Sequence, residues 1–180
     1  AIYKIIIKLK INGMKKNKTI LILGNGSIGK KHNQVLKKYF IDYSVKVIPR
    51  KFNNRKINDI KRIYNINKDL FNRSNIILIC TPTVYHISHL EFFLNLNKKI
   101  FLEKPLSFNF NEIKKKIKSK SFYVGYVLRH HPIIAKIKKN LENKRYGKIF
   151  HIEINCFSNV LNWRKKTSKN FMSINKSLGG

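Results

Sequence analysis

Thr19-Ile20-Leu21-Ile22-Leu23 runs straight into Gly24-Asn25-Gly26-Ser27-Ile28-Gly29, and the residues that follow fall into helical spacing. No other stretch constrains the fold as strongly. An unbroken apolar run suits a parallel strand covered on both faces. Glycines spaced G-x-G-x-x-G where a strand turns into a helix have separate duties. The first permits a tight turn, the second lets backbone approach a pyrophosphate, and the third lets helix pack on strand. The helix then points its N-terminal amides at the phosphates. Gly24, Gly26, Ser27, Ile28 and Gly29 are therefore candidate dinucleotide contacts.

The rest of the chain repeats that alternation. The spacing of Ile28, Val35, Leu36 and Tyr39 predicts a helix, and Val45-Lys46-Val47-Ile48 a second strand ended by Pro49. Residues 51–75 are rich in Asn and Lys and read as a weak strand near Ile63 and a short helix around Leu70. Ile76 to Cys80 is a buried strand, Val84 to Leu96 a helix, and Ile100-Phe101-Leu102 a strand; Phe110 to Ile117 is a helix and Phe122 to Val127 a strand. Strands alternating with helices predict an α/β fold with a Rossmann-type, doubly wound parallel sheet. The pattern then changes. Pro132 to Leu141 reads as a helix, and Ile149-Phe150-His151-Ile152-Glu153-Ile154 alternates with period two, as a half-exposed strand does. The division is an extension at 1–17, a dinucleotide-binding unit at 18–121, and the incomplete start of a mixed α/β substrate domain at 122–180.

Charge is the unusual quantity: 39 Lys plus Arg against 8 Asp plus Glu, a formal +31. Alone it would suggest nucleic acid. Yet the excess is nearly all Lys, whereas bidentate reading of bases and phosphates favours Arg. The lysines are also spread along the whole chain, and Ile and Asn rise with them, as an AT-rich coding sequence would produce. They read as solvated side chains rather than a specific nucleic-acid surface. Cys80 and Cys156 lie far apart with no CxxC, which fits a reducing, cytoplasmic setting. No apolar run approaches the ~20 residues that span a bilayer, and lysines break the opening Ala1 to Lys10 too often for a signal peptide. Met14 reads as a natural start. Leu178-Gly179-Gly180 ends without a closing element, as in a fragment truncated at its carboxyl end.

The chemistry concentrates at strand ends, where ligands of open α/β sheets lie. After the second strand stands Ile48-Pro49-Arg50-Lys51, with no carboxylate for a ribose hydroxyl. Arg50 leans toward a 2′-phosphate, hence NADP within NAD(P), or is a solvated cation. Thr81-Pro82 follows the next long strand, with His86 in the first turn of the helix beyond; these read as cleft residues, or as a helix start with a surface His. His86 with His89, or His130 with His131, offers no third ligand and carboxylate, so no metal is expected. Glu103-Lys104-Pro105 closes the following strand. Lys104 can donate a proton or polarise a substrate oxygen, Glu103 can hold that ammonium or a cofactor ribose, and Pro105 fixes the backbone.

Taken in order, these motifs resemble the Gfo/Idh/MocA oxidoreductases from about Lys18 to Gly180. The matching pieces are the glycine loop with His32; Cys80-Thr81-Pro82 with His86; Glu103-Lys104-Pro105; and Gly125-Tyr126 with Arg129 and Pro132. Gly147-Lys148-Ile149, Asn162-Trp163-Arg164 and Gly179-Gly180 complete them. The resemblance implies that Lys104 is catalytic and touches substrate at the nicotinamide, and that Thr81, Pro82, His86 and Glu103 line the cofactor cleft. It implies that Arg129, Trp163 and Arg164 border substrate or nicotinamide. The substrate would be a small-molecule sugar or sugar derivative, with no membrane partner, and the Trp163-Arg164 segment resembles members tied to surface polysaccharides. The intact enzyme would be a homo-oligomer, with an Asp and an acid/base His beyond Gly179. Two other readings remain open: a cofactor-binding regulatory or scaffold protein without turnover, and a basic nucleic-acid binder.

Overall fold

The computed structural model describes residues 18–49, 51–52, 55–56, 59–113, 122–159 and 176–178. Its centre is a five-stranded sheet built from β1 (Lys18–Leu23), β2 (Tyr43–Ile48), β5 (Ser74–Ile79), β6 (Lys99–Leu102) and β7 (Phe122–Val124). A two-stranded antiparallel ribbon, β3 (Lys51–Phe52) with β4 (Arg55–Lys56), stands apart from it. The sheet order is β2-β1-β5-β6-β7 and every neighbouring pair is parallel. The chain first steps outward from β1 to β2, then returns to the other side of β1 at β5. The carboxyl ends of β1 and β5 thus flank the reversal at which such sheets take their ligands.

Strand pleating sorts the core. Leu21 and Leu23 point into one layer with Ile77, Ile79, Ile100 and Leu102. Ile20 and Ile22 point into the other with Ile76, Leu78, Cys80 and Phe101. Helix α1 (Ser27–Tyr39) covers the second layer through Gly29, His32 and Leu36, its buried face. The first is covered by α2 (Ile60–Ile66), α3 (Lys68–Arg73) and α4 (His86–Asn95), which contribute Ile60, Ile63, Phe71, Leu90 and Phe93. Both faces are covered, so continuous apolar strands are what this sheet requires.

The expected doubly wound sheet is present, with local departures, among them that the strand expected over Phe122 to Val127 stops at Val124. The weak strand near Ile63 is helical, in α2. Asp59 caps it by accepting from the Arg62 amide, and Ile60 with Ile63 at helical spacing turns one stripe to the core. The strand expected over Ile149 to Ile154 is not formed: these residues carry no regular structure and are exposed. Period-two alternation makes a strand only where a neighbouring backbone supplies the ladder, and no described strand lies beside them. Phe122–Val124 pairs with β6 and so belongs to the sheet. Beyond it come a 3₁₀ turn, Val127–His130, and helix α6 (Pro132–Glu142), which starts with proline in its first turn. The helix expected from Phe110 is present as α5 (Phe110–Ile113), and residues 114–117 lie outside the described ones.

Candidate functional site

Four backbone hydrogen bonds tie the strand tips into a row. The Gly24 amide donates to the Ile48 carbonyl (2.8 Å), Cys80 to Leu23 (2.8 Å), Glu103 to Ile79 (3.0 Å) and Gly125 to Leu102 (2.8 Å). Each donor is the first residue past its strand. The glycine loop, Cys80-Thr81-Pro82, Glu103-Lys104-Pro105 and Gly125-Tyr126 therefore leave the sheet at one edge and at matched heights.

The glycines divide their work as expected from the spacing. Gly24 has φ +104°, and a Cβ there would lie 2.6 Å from the Cys80 carbonyl oxygen, so side chains are excluded by both conformation and space. A Cβ on Gly29 would run into the Gly24 carbonyl, which lets α1 sit tight against β1. Gly26 differs: its φ is −71° and a Cβ would meet nothing within 4 Å. Gly26 is exposed, and the protein does not need glycine there for its own packing. Gly26 is also the N-cap of α1, with no side-chain cap and no acid in the first turn. The positive end of α1 thus faces the open space above Gly26 without an anionic side chain of its own. A pyrophosphate fits this cradle, with Gly26, Ser27, Ile28 and Gly29 as its backbone.

Thr81 and Pro82 are buried behind the loop, and Pro82 leads into a 3₁₀ turn, Thr83–Tyr85. The Thr81 hydroxyl turns inward to His89 Nδ1 at 3.2 Å. His86 is not a surface residue. It is 1% exposed, with Nδ1 2.7 Å from the Pro105 carbonyl and Nε2 3.0 Å from the Thr81 carbonyl. Its ring clamps the loops after β5 and β6 together. Burial lowers its affinity for a proton, against the pull of the two carbonyls and the Glu103 charge. Burial, and then the same carboxylate, hold the Cys80 thiol well above its ordinary range, so this buried cysteine is not a nucleophile.

Glu103 is 9% exposed and Lys104 is exposed beside it. Glu103 Oε1 accepts from His32 Nε2 at 2.6 Å. Sequence reasoning placed His32 near the loop without giving it this partner. The available signal was its place on the buried stripe of α1, since a histidine facing a sheet needs a polar partner at depth. Gly125 is a second residue whose need for glycine was not read: a Cβ there would sit 2.9 Å from Phe101 Cζ and 3.3 Å from Glu103 Oε1. Arg129 lies exposed in the 3₁₀ turn after β7. Lys176–Leu178 comes back beside Thr83–Tyr85, near the same edge. Arg50, Trp163 and Arg164 lie outside the described residues. Among those described, no group of three or more His, Cys, Asp or Glu side chains could hold a metal ion, and no helix is long and apolar enough to cross a membrane.

The same fold recurs in known proteins. The uncharacterized oxidoreductase YrbE of Bacillus subtilis is 30% identical over 140 residues, which cover 70% of this chain and 40% of that protein. The WlbA dehydrogenase of Bordetella pertussis, solved in complex with NADH and UDP-GlcNAcA, superposes with a TM-score of 0.58 at 15% identity, over 74% of this chain and 45% of the other. The scyllo-inositol dehydrogenase of Lactobacillus casei, solved with NAD(H) and scyllo-inositol, gives 0.54 at 18% identity, over 73% and 43%. The chain spans less than half the length of each of these relatives. The model of the oxidoreductase family with an NAD-binding Rossmann fold matches residues 18–120, and with the strand-tip row and glycine cradle this places the chain in the Gfo/Idh/MocA oxidoreductase family.

Proposed function

We propose that this chain is the cofactor-binding part of an NAD(P)-dependent oxidoreductase acting on a CH–OH carbon of a sugar or sugar derivative. The observation that carries the reading is the empty space above Gly26, framed by the positive end of α1 and by the row of strand tips. When bound, the nicotinamide supplies the two-electron chemistry at the sugar carbon. The residues of the chain bind and orient. The loop amides hold the pyrophosphate, the buried Thr81–Pro82 wall and the His86 clamp shape the cleft, and Lys104 polarises the reacting oxygen at the end of β6. Glu103 borders that cleft, Arg129 contacts the substrate, the resemblance assigns the same role to Trp163 and Arg164, and the chain after β7 begins a substrate-facing unit. Arg50 at the tip of β2 would favour NADP through a 2′-phosphate. Support for a sugar comes from the ligands of the two solved relatives, and a surface-polysaccharide role is an extension of it. A cytoplasmic homo-oligomer is the setting this reading takes.

The test is a titration with NADH and NADPH followed by nicotinamide fluorescence, for the natural chain and for Gly26→Ala. Because a Cβ at Gly26 meets nothing in the protein, the variant keeps its melting temperature and loses binding by about tenfold or more, equivalent to about 1.4 kcal/mol. Equal affinity in both proteins removes the cradle from the reading. Binding without loss of nicotinamide absorbance, across candidate sugars and in a protein of the relatives' full length, would favour a regulatory or scaffold role.

A further inference from the structure

Helix α1 carries the glycine loop, and β6 carries Lys104. A buried hydrogen bond joins the two segments, between His32 and Glu103, 71 positions apart in sequence. His32 lies on the buried stripe of α1 with Gly29 and Leu36, its ring 1% exposed and edge-on to Phe101, with centroids 5.7 Å apart at 80°. Its Nε2 donates to Glu103 Oε1 at 2.6 Å. On another side Gly125 lies close to that oxygen: a Cβ there would sit 3.3 Å from it and 2.9 Å from Phe101 Cζ. The second oxygen accepts from the Lys104 amide in a long bond of 3.3 Å. A carboxylate this buried is tolerable only when hydrogen-bonded, and here one oxygen is committed to His32 and the other to the chain bearing Lys104.

We infer that His32 is a positioning residue for Lys104: it fixes the Glu103 carboxylate, which in turn fixes the Lys104 backbone relative to the glycine loop. Glu103 is then a bracket between helix and strand tip, and its Oε1 is not a ligand for a cofactor ribose. This rests on the reading of Lys104 as the residue at the reacting oxygen. The geometry of the bracket itself does not depend on that reading.

Amide hydrogen exchange on the full chain separates the two. In His32→Leu the Lys104 amide should exchange about tenfold faster or more, relative to the amides of β1 and β5, because its acceptor is released. His32→Gln, which can place a side-chain N–H near the same point, should restore exchange to within about threefold of the natural chain. A residue with only a general packing role would speed the sheet amides along with Lys104, and Gln would not rescue. If His32→Leu strands the carboxylate and does not fold, the double variant His32→Leu/Glu103→Met removes both polar partners and avoids the buried unpaired charge. Its Lys104 amide should still exchange fast above an intact sheet. Unchanged relative protection of Lys104 in either variant, or failure of Gln to rescue, overturns the assignment. An NADH titration run beside it reads the cofactor function separately: absent binding in the natural chain would sink that reading and leave the exchange result standing.

Discussion

Lys104 is exposed two residues past β6, whose Ile100, Phe101 and Leu102 are buried. An ammonium in that place adds little to stability. In a protein of the relatives' full length, Lys104→Ala should lower kcat by about 100-fold while leaving NADH affinity within about threefold; unchanged turnover would remove Lys104 from the chemistry. His86 makes the opposite kind of prediction, one about folding. Its proton affinity in the folded chain is lowered, chiefly by burial, from the ordinary value of 6.5. The unfolded chain therefore binds the proton more readily, and the folded state loses stability as pH falls below about 6.5. Urea melts of the natural chain and His86→Asn across that range should show a shallower acid slope in the variant. Single residues also mark the limit of legibility. The glycine loop could be read because its parts are adjacent, whereas His32 and Glu103 meet only after the sheet has formed: the buried stripe of α1 shows that His32 needs a polar partner, and nothing local says which.

At the level of elements, the central strands carry most of the burial. Leu78 on β5 is fully buried between its neighbours and the α1 layer, so Leu78→Ala should cost about 3 kcal/mol in a denaturant titration. Phe150 and Phe157 are larger yet 84% and 92% exposed, and Phe150→Ser or Phe157→Ser should change stability by no more than about 0.5 kcal/mol. The same contrast explains which elements the sequence disclosed. β1, β5 and β6 are continuous apolar runs because both of their faces are covered, and such runs stand out even against a Lys- and Asn-rich background. Helix α2 did not stand out, because its inward stripe is short and Lys61, Arg62 and Asn65 interrupt its apolar positions. The segment from Ile149 to Ile154 has the pattern of a strand and lacks a neighbour to complete it, which no periodicity can reveal.

For the molecule as a whole, a formal charge of +31 on 180 residues works against compactness through self-repulsion. Raising salt from about 20 to about 200 mM shortens the Debye length from roughly 20 Å to under 10 Å and should raise the melting temperature; a salt-independent midpoint would mean that self-repulsion among the lysines does not limit stability. The row of tip hydrogen bonds has a consequence for how such a chain can diverge. Because strand register moves in whole residues of about 3.3 Å and each step turns side chains to the opposite face, the spacing between loop and lysine cannot drift gradually. One residue inserted between Ile100 and Glu103 would swing the carboxylate away from His32. The same insertion between Leu96 and Lys99, at the far end of β6, would be absorbed in the turn. Length variation among descendants of this chain should therefore gather at the edge of the sheet away from the glycine loop.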